Sequence, residues 1–470
     1  MPTVQSLSCI IFSLQYNIAI SISTRGAFTM EIKVRFPYVL TDIFIYLVIT
    51  VFLLFPGFHG YLTIQDEKSV LFYFFFGGYL ILMALFSFEM ILGGHLKFIT
   101  PLAMWKKADW TQRFAVLYLL FSLISTIFSP YQSWAWTGMS RHEGMITISL
   151  YCIIFLCVST FARPRNSFWT LFALSMIVFC VICLLQMAGF NPFSLYPSGL
   201  SYSDANELYA GIYLGTIGNA DLAAALLCLS IPILISRVID SHRKPDFIMI
   251  VALLLSIIVL IQMDVKAGLV GVFGGLWLAL PLSLPVKAST RKYLWLLIFS
   301  GIVTALLFIY FVPSNGTLYE ANQVLHGNWD DRFGSGRIYI WKQVLQQIPH
   351  QFFWGSGPDT MMAAGIAGFP FISESGQSFE TFVDTAHNEF LNVLFHQGIF
   401  ALISYVGILI TCLAKWARSN RSTSTTSGLG CAIICYSVQS FFGLSMCMTS
   451  GIFWVILGLF EFTLNQDTKE

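Results

Sequence analysis

FIMIVALLLSIIVLIQMDVKAGLVGVFGGLWLALPLSL, residues 247–284, holds two apolar runs separated by a short polar turn, MDVKAG. A hydrocarbon layer of about 30 Å is crossed by roughly 20 apolar residues in helical form. The runs 246–263 and 266–285 approach that length, and between them only Asp264 and Lys266 carry charge. The stretch therefore reads as two membrane helices joined at one surface. Taken alone, the Asp264/Lys266 pair reads as charges snorkelling to the interface.

The same pattern recurs along the chain. Of 470 residues, 56% are apolar and 10% are charged, and mean hydropathy is +0.74. Soluble domains carry about a quarter charged residues. The runs are 37–57, 69–92, 110–128, 145–162, 168–188, 219–239, 246–263, 266–285, 291–312, 396–417, 425–444 and 448–464. The expected fold is all-α: a polytopic membrane bundle of about twelve transmembrane helices, with a large extracytoplasmic loop between the ninth and tenth. An earlier run, 8–23, is broken by Gln15, Tyr16 and Asn17 and has no positive leader; it reads as an extra helix, or as upstream of a true start at Met30. The chain then divides into a cytoplasmic segment 1–36, helices one to nine over 37–312, a loop domain 313–385, and 386–470 with three helices and a short tail. The net charge of +1 gives no nucleic-acid signal, and none is expected as a partner; membrane lipids are. The ten cysteines lie in or beside apolar runs, so no disulfide framework is expected. Cys180 and Cys183, although spaced CxxC, read as packing residues within a span.

Lys and Arg concentrate in cytoplasmic segments. With a cytoplasmic N-terminus, the inner segments hold eighteen of them, including Arg163, Arg165, Arg237, Lys287, Arg291, Lys292, Lys415 and Arg418. The outer segments hold six: Lys68, Arg141, Lys266, Arg332, Arg337 and Lys342. Both termini are therefore expected inside and 313–385 outside. The outer cations oppose the orientation signal, which makes them candidates for binding an anion.

Within the outer loop, Ser335-Gly336 is expected to open a helix that Pro349 closes. Ile338, Trp341, Val344 or Leu345, and Ile348 give it one apolar face. GSGP after it is a turn and matches no phosphate cradle. The outer segment 189–218 holds Asp204 and Glu207 but no cation, and 129–144 ends in SRHEG, with Arg141, His142 and Glu143 together. Gln65-Asp66-Glu67 in the first outer loop is a minor alternative, similar to the acidic motif of metal-dependent membrane glycosyltransferases, and is not a strong metal motif.

Four patterns now fall in order: RHEG at 141–144, GNADLAAALL at 218–227, SGRIYIWKQVL at 335–345 with WGSGP at 354–358, and AHNEFLNVLFHQG at 386–398. Together they resemble the O-antigen ligase and polymerase superfamily of bacterial membrane glycan transferases, over about 110–460. The resemblance implies a glycan donor held on undecaprenyl diphosphate at the outer face of the cytoplasmic membrane. It implies transfer to a hydroxyl on a lipid, a glycan or a protein, and an all-α bundle with an extracytoplasmic loop domain. It makes His387 the catalytic residue and Arg337 a diphosphate ligand. A second family cation, usually arginine, stands here as Lys266, a point charge in place of a fork. Ligase, polymerase and protein O-oligosaccharyltransferase all remain open. A transporter without covalent chemistry is the competing class.

Charge that grows on a departing diphosphate is stabilised by fixed cations, and Arg337, Lys266 and Arg141 are the candidates. No cofactor and no metal site is expected. Asp384 or Thr385 is expected to cap a helix beginning near Ala386. That would put His387 in the first turn, where the helix dipole disfavours imidazolium. Asn388 and Glu389 flank it as minor substrate contacts, and His396 reads as a packing or interfacial histidine.

Overall fold

The computed structural model describes residues 25–94, 101–196, 213–240, 246–284, 286–366, 369–372, 378–381, 383–419 and 423–467. The run 8–23 and the acidic pair Asp204/Glu207 lie outside them. Every one of the twelve apolar runs falls on a helix. In chain order these are α1 (Arg25–Leu47), α2 (Ile64–Leu92), α3 (Trp110–Phe128), α4 (Met145–Phe161), α5 (Asn166–Met187), α6 (Ala220–Asp240), α7 (Phe247–Met263), α8 (Lys266–Ser283) and α9 (Ala288–Phe311). The loop region adds α10 (Thr317–Leu325) and α11 (Arg337–Gln351). The bundle closes with α12 (Glu389–Arg418), α13 (Ser424–Ser440) and α14 (Cys447–Asp467). Among the described residues nine helices are long and apolar enough to cross a membrane, and α4 and α7 are shorter apolar helices. The chain is a polytopic helical membrane protein.

The expected all-α class holds with one addition: Phe369–Ile372 and Ser378–Thr381 pair as an antiparallel ribbon, Phe369 opposite Thr381, inside the loop region. Only eight of the described residues are strand, so the bundle architecture is unaffected.

Within the bundle α6 packs on α13, α3 on α12, α4 on α14 and α5 on α7. α14 is central, with 89% of its span buried, whereas 6% of α9 is buried. Trp454 of α14 stacks between Tyr118 of α3 and Tyr151 of α4, at 6.2 Å and 5.9 Å. Small residues set the position of α8. A Cβ on Gly275 would stand 2.5 Å from Cys435 Cα, so only glycine lets α8 approach α13 this closely. The nine described cysteines are free, as expected from their place in the spans.

α11 lies across the end of the bundle. Val344 and Ile348 pack with Met361, Val383, Ala386 and Phe395, while Leu345 is exposed; the alternative between Val344 and Leu345 resolves to Val344. Pro349 does not close α11, which runs on to Gln351. A proline this near the C-terminus sacrifices at most one late backbone bond.

Candidate active site

A cavity of about 360 Å³ opens beside α11, lined by Asp221, Asp264, Val265, Lys266, Ala267, Ser335, Arg337 and His387. Four helix starts supply it. Asp221 is in the first turn of α6. Lys266 opens α8, Arg337 opens α11, and His387 stands two residues before α12. Free backbone N–H groups and the positive ends of helix dipoles gather at such starts, which suits an anion.

The cations are held by local geometry. α7 ends at Asp264 in the left-handed conformation, φ 52°, so the chain reverses and Lys266 begins α8 beside it. Lys266 Nζ pairs with the Asp264 carboxylate; the turn pair expected from sequence is present, and it faces this cavity. Arg337 follows Ser335 and Gly336, both at positive φ, 57° and 81°. Its Nη1 donates to the Gly334 carbonyl at 3.1 Å and its Nη2 to Asp221 Oδ2 at 3.4 Å. Its buried Nε has no partner, which leaves a donor for a ligand.

His387 has φ 46° and is not in a helical turn. The cap of α12 is Asn388, whose Oδ1 accepts from Leu391 N at 3.0 Å; the expectation of Asp384 or Thr385 as cap is corrected. Asp384 is engaged by Arg141, and the Thr385 hydroxyl donates to Asn392 Oδ1 at 3.3 Å. Asn392 Oδ1 also accepts from Ala386 N, and the Ala386 carbonyl accepts from Trp341 Nε1 at 2.9 Å. The histidine's loop is thus tied to both α11 and α12. Burial, then the positive charges of Arg141 and Arg337, opposed by Asp384, hold the His387 pKa at about 4. Burial and two guanidinium groups, in place of the helix dipole expected from sequence, disfavour the charged ring.

Arg141 lies behind this wall. Its guanidinium meets Asp384 through Nε–Oδ2 at 2.9 Å and Nη2–Oδ1 at 3.0 Å. The Asp359 carboxylate holds its backbone, accepting from Arg141 N at 2.8 Å, Ser140 N at 3.2 Å and the Ser140 hydroxyl at 3.1 Å. Asp359 is 4% exposed. Sequence reasoning missed it, although it follows WGSGP directly. Arg141 does not line this cavity; its charge acts on His387 through space. Asn388 and Glu389, read as minor substrate contacts, are 6% and 9% exposed. Neither lines the cavity: Asn388 caps α12, and Glu389 faces a second, enclosed chamber.

The remaining motif residues have other partners. Gln65 Nε2 donates to the Ser140 carbonyl at 2.7 Å, Asp66 pairs with His142 at 2.8 Å and Glu67 with His59 at 2.6 Å. The acidic motif thus braces the first outer loop and RHEG, and none of its residues lines the cavity. Among the described residues no group of three or more His, Cys, Asp or Glu is arranged to hold a metal ion. His396 is 3% exposed within α12.

Residues 251–406 match the family model described as O-antigen ligase. The match contains Lys266, Arg337 and His387 and leaves Arg141 and Asp221 outside. No curated protein matches the chain. The matched stretch carries the loop region and the three motif residues on one cavity, and over these residues the chain is similar to the O-antigen ligase family.

Proposed function

We propose that this protein transfers a glycan from undecaprenyl diphosphate to an acceptor hydroxyl at the outer face of the cytoplasmic membrane, as an O-antigen ligase-like enzyme. One observation carries the reading: a single cavity collects Arg337, Lys266 and the neutral imidazole of His387 from three distant parts of the chain. The diphosphate lies against Arg337 and Lys266, with four helix starts around it. The acceptor oxygen attacks the anomeric carbon as the bond to the diphosphate oxygen breaks, and the electron pair leaves with the diphosphate. Its growing charge is met by cations already in place, which stabilises the transition state more than the ground state. His387 takes the hydroxyl proton. Direct displacement inverts the anomeric centre.

The test is mass spectrometry of products from lipid-linked glycan, with and without a distinct acceptor. Single transfer to the acceptor is expected, and it should vanish in His387→Ala at normal expression. A ladder on the lipid diphosphate would make the protein a polymerase. Transfer to a protein serine or threonine would make it an O-oligosaccharyltransferase. No covalent product under any condition would leave the transporter class.

A further inference from the structure

A second chamber, of about 40 Å³, is lined by Asp384, Thr385 and Glu389, the residues on either side of His387 in the chain, while His387 itself lines the first cavity. The chamber has room for roughly two or three waters at ~10–15 Å³ each. Its wall includes Arg141, Glu143, Asp359, Asp384, Glu389 and His396. Two side-chain atoms there, Glu389 Oε2 and His396 Nε2, are buried without a hydrogen-bond partner. Buried polar groups are nearly always satisfied, by protein or by ordered water. The space beside these two is polar and of the right size for water.

The charges do not balance. Four carboxyl groups, Glu143, Asp359, Asp384 and Glu389, face one guanidinium, Arg141. Asp384 pairs with Arg141, and Asp359 is compensated by backbone N–H groups. Glu143 accepts from Tyr151 at 2.9 Å, and burial, with Glu389 nearby, holds its carboxyl above the usual range. The phenols of Tyr118, Tyr405 and Tyr436 complete the titratable surroundings. Like charges in one low-dielectric site cannot all ionise, so the chamber takes up protons.

His387 cannot keep a proton beside Arg141 and Arg337, and its buried Nδ1 has no partner. We propose that the chamber is the proton sink of the transfer reaction, with Glu389 the carboxylate that receives, through chamber water, the proton His387 takes from the acceptor hydroxyl. This rests on the reading of His387 as base. In the step the acceptor O–H breaks as its oxygen bonds the anomeric carbon. The proton crosses the imidazole to water and then to Glu389, which becomes a neutral acid. It returns to solvent after product leaves, and no redox partner is involved.

The experiment uses the full chain in bilayers, with lipid-linked donor and acceptor. Glu389→Gln should lower kcat by about 10²-fold, the range of a lost proton-transfer group, with donor KM and melting temperature unchanged. The solvent deuterium effect on kcat should rise. The carbonyl stretch of a protonated buried carboxyl, rising in the infrared difference spectrum of the wild type during turnover, should not rise in this variant. Glu389→Asp keeps a carboxyl and should recover part of kcat together with that band. Wild-type kcat in Glu389→Gln, with His387→Ala inactive, overturns the sink and leaves the function standing. So does Glu389→Asp as slow as Glu389→Gln. Full activity in His387→Ala would instead remove the base itself.

Discussion

Arg337 and Lys266 differ in what they can offer a diphosphate. The guanidinium is a planar fork that matches two phosphate oxygens; the ammonium is a point charge. Arg337 also has its Nε unengaged and its fork already oriented by Gly334 and Asp221. Arg337→Ala is therefore expected to lose about 10²–10³ in transfer rate, with Arg337→Lys recovering little of it. Lys266→Arg should be tolerated or faster, since it restores the residue that the family usually carries at that turn. Normal transfer by Arg337→Ala in the mass-spectrometric assay would end the diphosphate role. The pH dependence follows from His387. Its pKa lies at about 4, below the usual 6.5, because burial and then two guanidinium groups disfavour the charged ring. As pH falls, the base stays neutral until about 4, so the acid limb of kcat/KM should lie there and not near 6.5. A bound diphosphate adds negative charge beside the ring and favours imidazolium, so the acid limb of kcat should lie higher than that of kcat/KM. Arg141→Gln removes a cation and should move both limbs upward. An acid limb unmoved in that variant would show that Arg141 does not act on His387.

At the scale of elements, the decisive feature is the break in α12 at Gly398, φ 81° and ψ 178°. The turn 352–357 enters the gap. Ile399 N donates to the Phe352 carbonyl at 2.8 Å, Ser356 N to Phe395 at 3.0 Å, and Gly357 N to His396 at 2.8 Å. The backbone bonds that the broken helix forgoes are thus replaced by the turn that leads to Asp359. A Cβ on Gly398 would stand 2.2 Å from the Phe353 carbonyl oxygen, and its backbone conformation is one that only glycine adopts readily. Gly398→Ala should cost at least about 1–3 kcal/mol in strain, seen as a lower melting temperature. It should also lower transfer activity by displacing Asp359 and Arg141. An unchanged melting temperature would show that α12 can close over the turn. The apolar runs made the bundle helices legible, because hydropathy is written locally; nine of the described helices are long and apolar enough to cross a membrane, against the twelve spans expected. The cap of α12 was not legible. Asp384, Thr385 and Asn388 are all good capping types, and the choice was made by Arg141, 243 residues away from Asp384, and by Asn392. Asp359 was invisible for the same reason, since its partners lie in the 139–143 loop. The motifs pointed to Arg337, Lys266 and His387, yet nothing local to the sequence separates the cavity that they line from the chamber behind Glu389.

For the whole molecule, the distribution of charge sets the direction in the membrane. The bundle places the starts of α6, α8, α11 and α12 around one cavity, and the positive-inside rule predicts that this end faces outward. The charge asymmetry is sharpest across α9. Lys287, Arg291 and Lys292 crowd its first end, and the loop region that carries Arg337 follows its second. α9 is also the span least covered by its neighbours, and Ser289 and Asn315 at its two ends are exposed. They make a matched pair of reporters. The nine described native cysteines are buried, apart from a half-buried Cys157, so a Cys9→Ser background should label weakly. In intact cells an impermeant thiol reagent should label Asn315→Cys and spare Ser289→Cys, and permeabilisation should expose the latter. The reverse pattern would turn the cavity toward the cytoplasm. Arg337, Lys266 and His387 would then face the side from which nucleotide-activated sugars are supplied. A donor presented on undecaprenyl diphosphate at the outer face could not reach them, and the proposed transfer would fail on geometry even with its chemistry intact.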